Sequence, residues 1–177
     1  MSEFSESYHL KTLDQTKAVT LLRDSEMTGY IFSEKNGWIS FVVDHRGKNT
    51  NDVLSDSNPS ILVHYVYLED HMWSLRVYNK DELVFDYKAD WAGEGLVIEK
   101  DLFNLEHLEN LILEQGNSIS DLEQIFDFKD SKINYENPPS YLIAQRIGLT
   151  NYEWVSSDNL SGYSDDQLEE MEILVIE

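Results

Sequence analysis

The sequence has no cysteine, and only three prolines and eight glycines among 177 residues. Without thiols there is no disulfide framework, no thiolate metal site and no cysteine nucleophile. Positive charge is scarce as well. Thirteen Lys and Arg stand against 34 Asp and Glu, for a net charge of −21. A field of that sign repels nucleic-acid phosphates and anionic membranes and favours cationic partners. Its plainest consequence is solubility. No apolar run approaches the length of a bilayer span, and the opening MSEFSESYHL has neither the basic nor the apolar part of a signal peptide. The expectation is a soluble cytoplasmic protein with no membrane and no nucleic-acid partner.

Familiar catalytic signatures are missing too. There is no Gly-x-Ser-x-Gly elbow, no phosphate-cradling glycine loop and no dinucleotide fingerprint. Glu69-Asp70-His71, Asp44-His45 and Asp165-Asp166 offer metal donors without a ligand spacing. Ser157 to Leu168 sets Gly162 where a calcium loop has its glycine, but Leu168 stands where a bidentate glutamate is needed. No metal and no cofactor are expected. Ala144 to Leu149 imitates the turn of a helix-turn-helix, yet the segment after it, Asn151 to Leu160, contains no lysine or arginine for phosphates. An ordinary helix ended by Gly148 accounts for it better.

What is present is apolar patterning, with 41% hydrophobic and 12% aromatic residues, enough for a core. The length fits a single domain over residues 1–177, sheet-rich over 1–98 and helix-rich over 99–177. From Ser60 to Lys88, odd positions are apolar: Ile61, Val63, Tyr65, Tyr67, Trp73, Leu75, Val77, Leu83, Phe85 and Tyr87. This period of two predicts three strands with one buried face. Tyr8 to Lys11, Gly29 to Phe32, Trp38 to Val43 and Glu172 to Ile176 read as further strands, with Asn36-Gly37 as a turn. Thr12 to Gln15 fits a capping box opening a helix over 13–24, and Ser120 to Glu123 fits a second one opening a helix through Phe126. Leu102, Leu105, Leu108, Leu111 and Ile112 have helical spacing, and Pro138-Pro139 introduces a helix over 140–147. Asp44 to Pro59 is polar and aperiodic, a surface loop. Tyr152 and Trp154 are expected to pack on the body. The fold class is α+β: an antiparallel sheet of about five to seven strands from the N-terminal half, packed against helices from the C-terminal half.

Two candidate sites follow. If odd pairs with odd across both central hairpins, His64 lies opposite Arg76 and Arg76 opposite Asp86, on the face away from the core. Ser74 and Lys88 neighbour that row. Imidazole, guanidinium and carboxylate in line can orient an anionic ligand or support acid–base chemistry. The plainer alternative is a half-solvated face whose Arg–Asp pair fixes register. The second site is electrostatic. Residues 89–128 hold ten acids and one base, and residues 133–177 nine acids and one base. With the leucines at 105, 108 and 111 turned inward, Glu106, Glu109 and Glu114 face out toward a basic protein partner. The leading expectation is a non-catalytic acidic protein-binding domain, in the manner of a bacterial-type immunity or inhibitor protein. The alternative is a sensor or enzyme using a pocket around His64, Arg76 and Asp86.

Overall fold

The computed structural model describes residues 1–44, 47, 49–130 and 136–177. In chain order the elements are β1 (Phe4–Lys11), α1 (Gln15–Asp24), β2 (Gly29–Ile31), β3 (Trp38–Val43), α2 (Thr50–Ser57), β4 (Ile61–Leu68), β5 (Met72–Asn79), β6 (Glu82–Asp90), β7 (Val97–Leu102), α3 (Leu105–Glu114), α4 (Leu122–Phe126), α5 (Pro139–Arg146), α6 (Ser157–Leu160), α7 (Asp165–Glu170) and β8 (Leu174–Ile176). The fold is α+β, and all described pairings in its sheet are antiparallel. The eight strands run in the order β7-β6-β5-β4-β1-β3-β2-β8.

The central register is the one the alternation requires. Val63 pairs with Val77 and Tyr65 with Leu75, while Val77 pairs with Phe85 and Leu75 with Tyr87. These odd side chains are buried under α3, α4 and α5, whose Leu108, Leu111, Ile112, Phe126, Ile143 and Ala144 complete the core. Leu83 departs from the pattern. The register shifts after Val77, so Tyr78 faces Leu83 and Val84 is the extra residue. Val84 therefore joins the helix-covered core, and Leu83 moves to the opposite face. A bulge that inserts one residue inverts the parity of everything beyond it.

The other face has its own cover, from the N-terminal half. Leu21 and Leu22 of α1 and Leu54 of α2 pack on Tyr8, Leu10, Ile39, Phe41 and Leu62. Part of the segment expected to be loop, Asp44 to Pro59, is thus a helix. Its single buried leucine and polar remainder, TNDVLSDS, leave no stripe to read. β7 is the strand beyond the expected seven. Its three central residues, Glu99, Lys100 and Asp101, are exposed at the sheet edge and hide the period. Leu102 ends β7 instead of beginning α3.

Two caps differ from expectation. Asp14, not Thr12, caps α1, accepting from the Thr16 N–H at 3.0 Å. Thr12 instead accepts from the Asp14 N–H. Asp121 precedes α4 in a left-handed conformation without a side-chain cap bond. Tyr152 is buried in the core, whereas Trp154 is 46% exposed. At the far end, Tyr30, Phe32 and Val42 pack with Leu160, Leu168 and Ile173 of the C-terminal segments. β8 then pairs with β2 and finishes the sheet. Gly29 of β2 has to be glycine, because a Cβ there would sit 2.0 Å from the Val42 carbonyl oxygen.

β1 lies inside the sheet, and its odd side, Ser5, Ser7 and His9, is fully buried yet polar. Ser7 Oγ meets His9 Nε2 at 2.8 Å, and His9 Nδ1 meets Ser40 Oγ at 2.8 Å. Glu3, just before the strand, is buried and accepts from Ser5, Tyr141 and the Trp154 N–H. Burial inside the hydrogen-bonded chain, with the neighbouring His64 adding to it, holds the His9 pKa down to about 3.

Candidate functional site

α1 and α2 cover only part of the second face. At the first turn of α2, even side chains of β1, β4, β5 and β6, joined by Leu83 from beyond the bulge, line a cavity of about 420 Å³. Glu6 and Tyr8 come from β1, Thr50, Asn51 and Asp52 from α2, His64 from β4, Arg76 and Tyr78 from β5, and Leu83 and Asp86 from β6. Gly47 contributes backbone, and its sequence neighbours Arg46 and Lys48 lie outside the described residues.

The row His64, Arg76 and Asp86 is assembled by cross-strand pairing, His64 to Arg76 and Arg76 to Asp86. Arg76 Nε donates to Asp86 Oδ1 at 3.0 Å. Among the described residues this is the one hydrogen bond of the guanidinium, on a side chain that lines the cavity and is 42% exposed. Ser74 and Lys88 pair beside the row, but Lys88 turns to Asp90, 3.2 Å away.

His64 is held on every side. Its Nε2 lies 2.9 Å from Glu6 Oε1, and its Nδ1 lies 3.1 Å from Asn51 Nδ2. The Tyr8 hydroxyl donates to Asn51 Oδ1 at 2.8 Å, and the Tyr8 ring stacks on the imidazole at 4.4 Å, 10° from parallel. A consistent chain of donors results: Tyr8 to Asn51, Asn51 to His64 Nδ1, and His64 Nε2 to Glu6. Both ring nitrogens are therefore occupied by protein, which suits a fixed wall better than a free base.

Tyr78 closes the floor near α2. Its hydroxyl is raised above the usual tyrosine range, first by burial. The Arg76 guanidinium opposes that shift, while Asp52 and Asp86 add to it. One hydroxyl thus stands within electrostatic reach of a cation and two carboxylates. Asp52 is exposed in the first helical turn and makes no ion pair among the described residues.

Sequence reasoning supplied three lining residues and missed the rest. Glu6 and Tyr8 lie on a strand whose polar odd face breaks the alternation, and Asn51 and Asp52 lie in the segment read as loop. Only strand parity at Tyr78 pointed to the same face.

The second candidate site is elsewhere. α3 packs on the odd face, so its glutamates and the cavity sit on opposite sides of the sheet. Glu106 is exposed and Glu109 half-buried. Glu114 is exposed but forms an ion pair with Lys11, which lessens its claim as a contact. Leu113, one turn beyond Glu109, is 55% exposed.

Among the described residues no three metal-capable side chains cluster. Ser157 to Leu160 is helical, and Ser164 caps α7 with a full capping box, so the calcium-loop spacing carries two helix starts. His45 lies outside the described residues. No described helix is long and apolar enough to cross a membrane.

No family model, no curated protein and no solved structure matches this chain. Function has to be argued from the cavity and the surface.

Proposed function

We propose that this chain binds a small polar molecule in the cavity between α2 and the β1-β4-β5-β6 face. The observation that carries the reading is convergence. Four strands and one helix aim polar side chains into about 420 Å³, a volume typical of ligand sites. The walls are also pre-organised. His64 and Asn51 are fixed by hydrogen bonds within the protein, so a ligand does not have to order them. Arg76 is the natural anchor, offering two terminal nitrogens to a carboxylate or phosphate. Binding, rather than turnover, fits a histidine whose two nitrogens are already engaged.

The test is retention. Protein purified natively from its host, at low salt, is weighed intact under non-denaturing conditions beside its Arg76→Ala variant. The expected result is an added mass on the wild type that the variant loses. Wild-type protein without added mass, and without a thermal shift from a metabolite collection, would overturn the reading.

A second reading is protein binding through α3. Glu106, Glu109 and Leu113 align along the outward stripe of that helix at spacings of three and four, which places an exposed leucine among acids. The partner would be basic, and an immunity- or inhibitor-like role belongs here. Reversing Glu106 and Glu109 to lysine should slow association with a co-purified basic protein, most strongly at low salt. An unchanged rate would leave the acidity with solubility alone.

A further inference from the structure

Resting on the small-molecule reading above, we infer that the ligand carries both charges close together, a carboxylate and an ammonium on one short body, as in an amino acid.

The argument begins with how Arg76 is paired. Its Nε is used by Asp86, at one edge of the planar guanidinium. The edge formed by the two terminal nitrogens makes no hydrogen bond to the described residues, and a planar two-pronged donor matches a carboxylate. Asp86 already compensates much of the Arg76 charge, so a second full anion would be held by geometry more than by net charge. That disfavours a multiply charged anion and suits a single carboxylate.

The second point is the opposite sign. Asp52 lines the cavity from α2 and makes no ion pair among the described residues. A carboxylate on the rim of a site is a hydrogen-bond acceptor only, and an ammonium is its best complement. The protein's −21 charge adds to the pull on that end of a ligand.

The third point is separation. Arg76 and Asp52 line the same cavity of about 420 Å³, so a ligand that meets both has to carry its two charges within that small space. Leu83 and the rings of Tyr8 and Tyr78 supply the apolar surface for the rest of the molecule.

The experiment uses five probes: L-alanine and L-lysine, carrying both charges, and propionate, inorganic phosphate and ethylamine, carrying one sign. Each is titrated into the full chain while the backbone amide resonances of Asn51, Asp52, Arg76 and Tyr78 are followed. The expected result is saturable movement of these amides with an amino acid, at least tenfold tighter than with any single-sign probe. Arg76→Gln should weaken the amino acid at least tenfold and leave ethylamine unchanged. Asp52→Asn should weaken it likewise and leave propionate unchanged. Both side chains are partly exposed, so the fold is retained, which the undisturbed remainder of the spectrum verifies. If phosphate or ethylamine alone binds as well as an amino acid, the two-sign inference is overturned while the cavity reading stands. If no probe moves these amides, or neither variant changes affinity, the inference is also overturned, and the added-mass measurement decides the cavity reading by itself.

Discussion

Asn51 Nδ2 donates to His64 Nδ1 across 3.1 Å, tying the first turn of α2 to the middle of the sheet. The same amide accepts from Tyr8 with its oxygen, so its orientation is fixed at both ends. Replacing it with a leucine of similar shape should cost about 1–3 kcal/mol, because two buried polar groups lose their partner. Tyr8→Phe added to that change should cost less than it does alone, a coupling that urea unfolding of the four-protein cycle measures. Additive losses would mean that the chain of hydrogen bonds is not a unit.

The two faces of the central strands should respond differently to truncation. Phe85 is fully buried among Phe103, Phe126 and its β5 partner Val77. Phe85→Ala should cost about 3–5 kcal/mol. Arg76, one row away and 42% exposed, should lose less than about 1 kcal/mol as alanine. Equal losses in denaturant unfolding would contradict the assignment of faces.

Removal of residues 172–177 should lower the melting temperature and reduce solubility. It strips Ile173 and Ile176 from two core clusters and leaves the edge of β2 without a partner. Unpaired backbone at an edge is a template for association. A truncated chain that melts and stays in solution like the full one would show that β8 contributes nothing to the fold.

Stability should also fall in mild acid, for a reason located at His9. Burial depresses its pKa from 6.5 to about 3, so below 6.5 the unfolded chain binds a proton that the folded chain refuses. The contribution is complete above pH 6.5 and declines as the pH drops toward 3, by up to about 1.4 kcal/mol per unit. His9→Gln should flatten the slope between pH 6.5 and 5, before carboxylates titrate. A slope unchanged in that variant would move the cause to another group.

Much of this architecture was legible where one side of an element is wet. Strands β4, β5 and β6 alternate because one face meets helices and the other a cavity, and the pairing of His64, Arg76 and Asp86 followed from that alternation alone. Where a buried face is itself polar, the signal failed. β1 carries Ser5, Ser7 and His9 inside, satisfied by one another and by neighbours that sequence cannot bring together. Short elements failed for a different reason. α2 has one turn of apolar contact and β7 three consecutive charged residues, too little for a period to register. The cavity was half legible accordingly: the sheet row was visible, and its α2 wall was not.

The strand order has a consequence for how the chain reaches its native state. β4 to β7 form a meander whose neighbours in space are neighbours in sequence, whereas β1 finds its place only when Phe4 meets Leu68 and Tyr8 meets Phe41. Closing those wide loops is entropically slow, while the hairpins close early. The meander is therefore the natural nucleus, and β1 is a late arrival that locks it. Since Glu6 and Tyr8 ride on β1, the cavity exists only after that last step. A half-folded chain with a complete meander has His64, Arg76 and Asp86 in line and still lacks one of its walls.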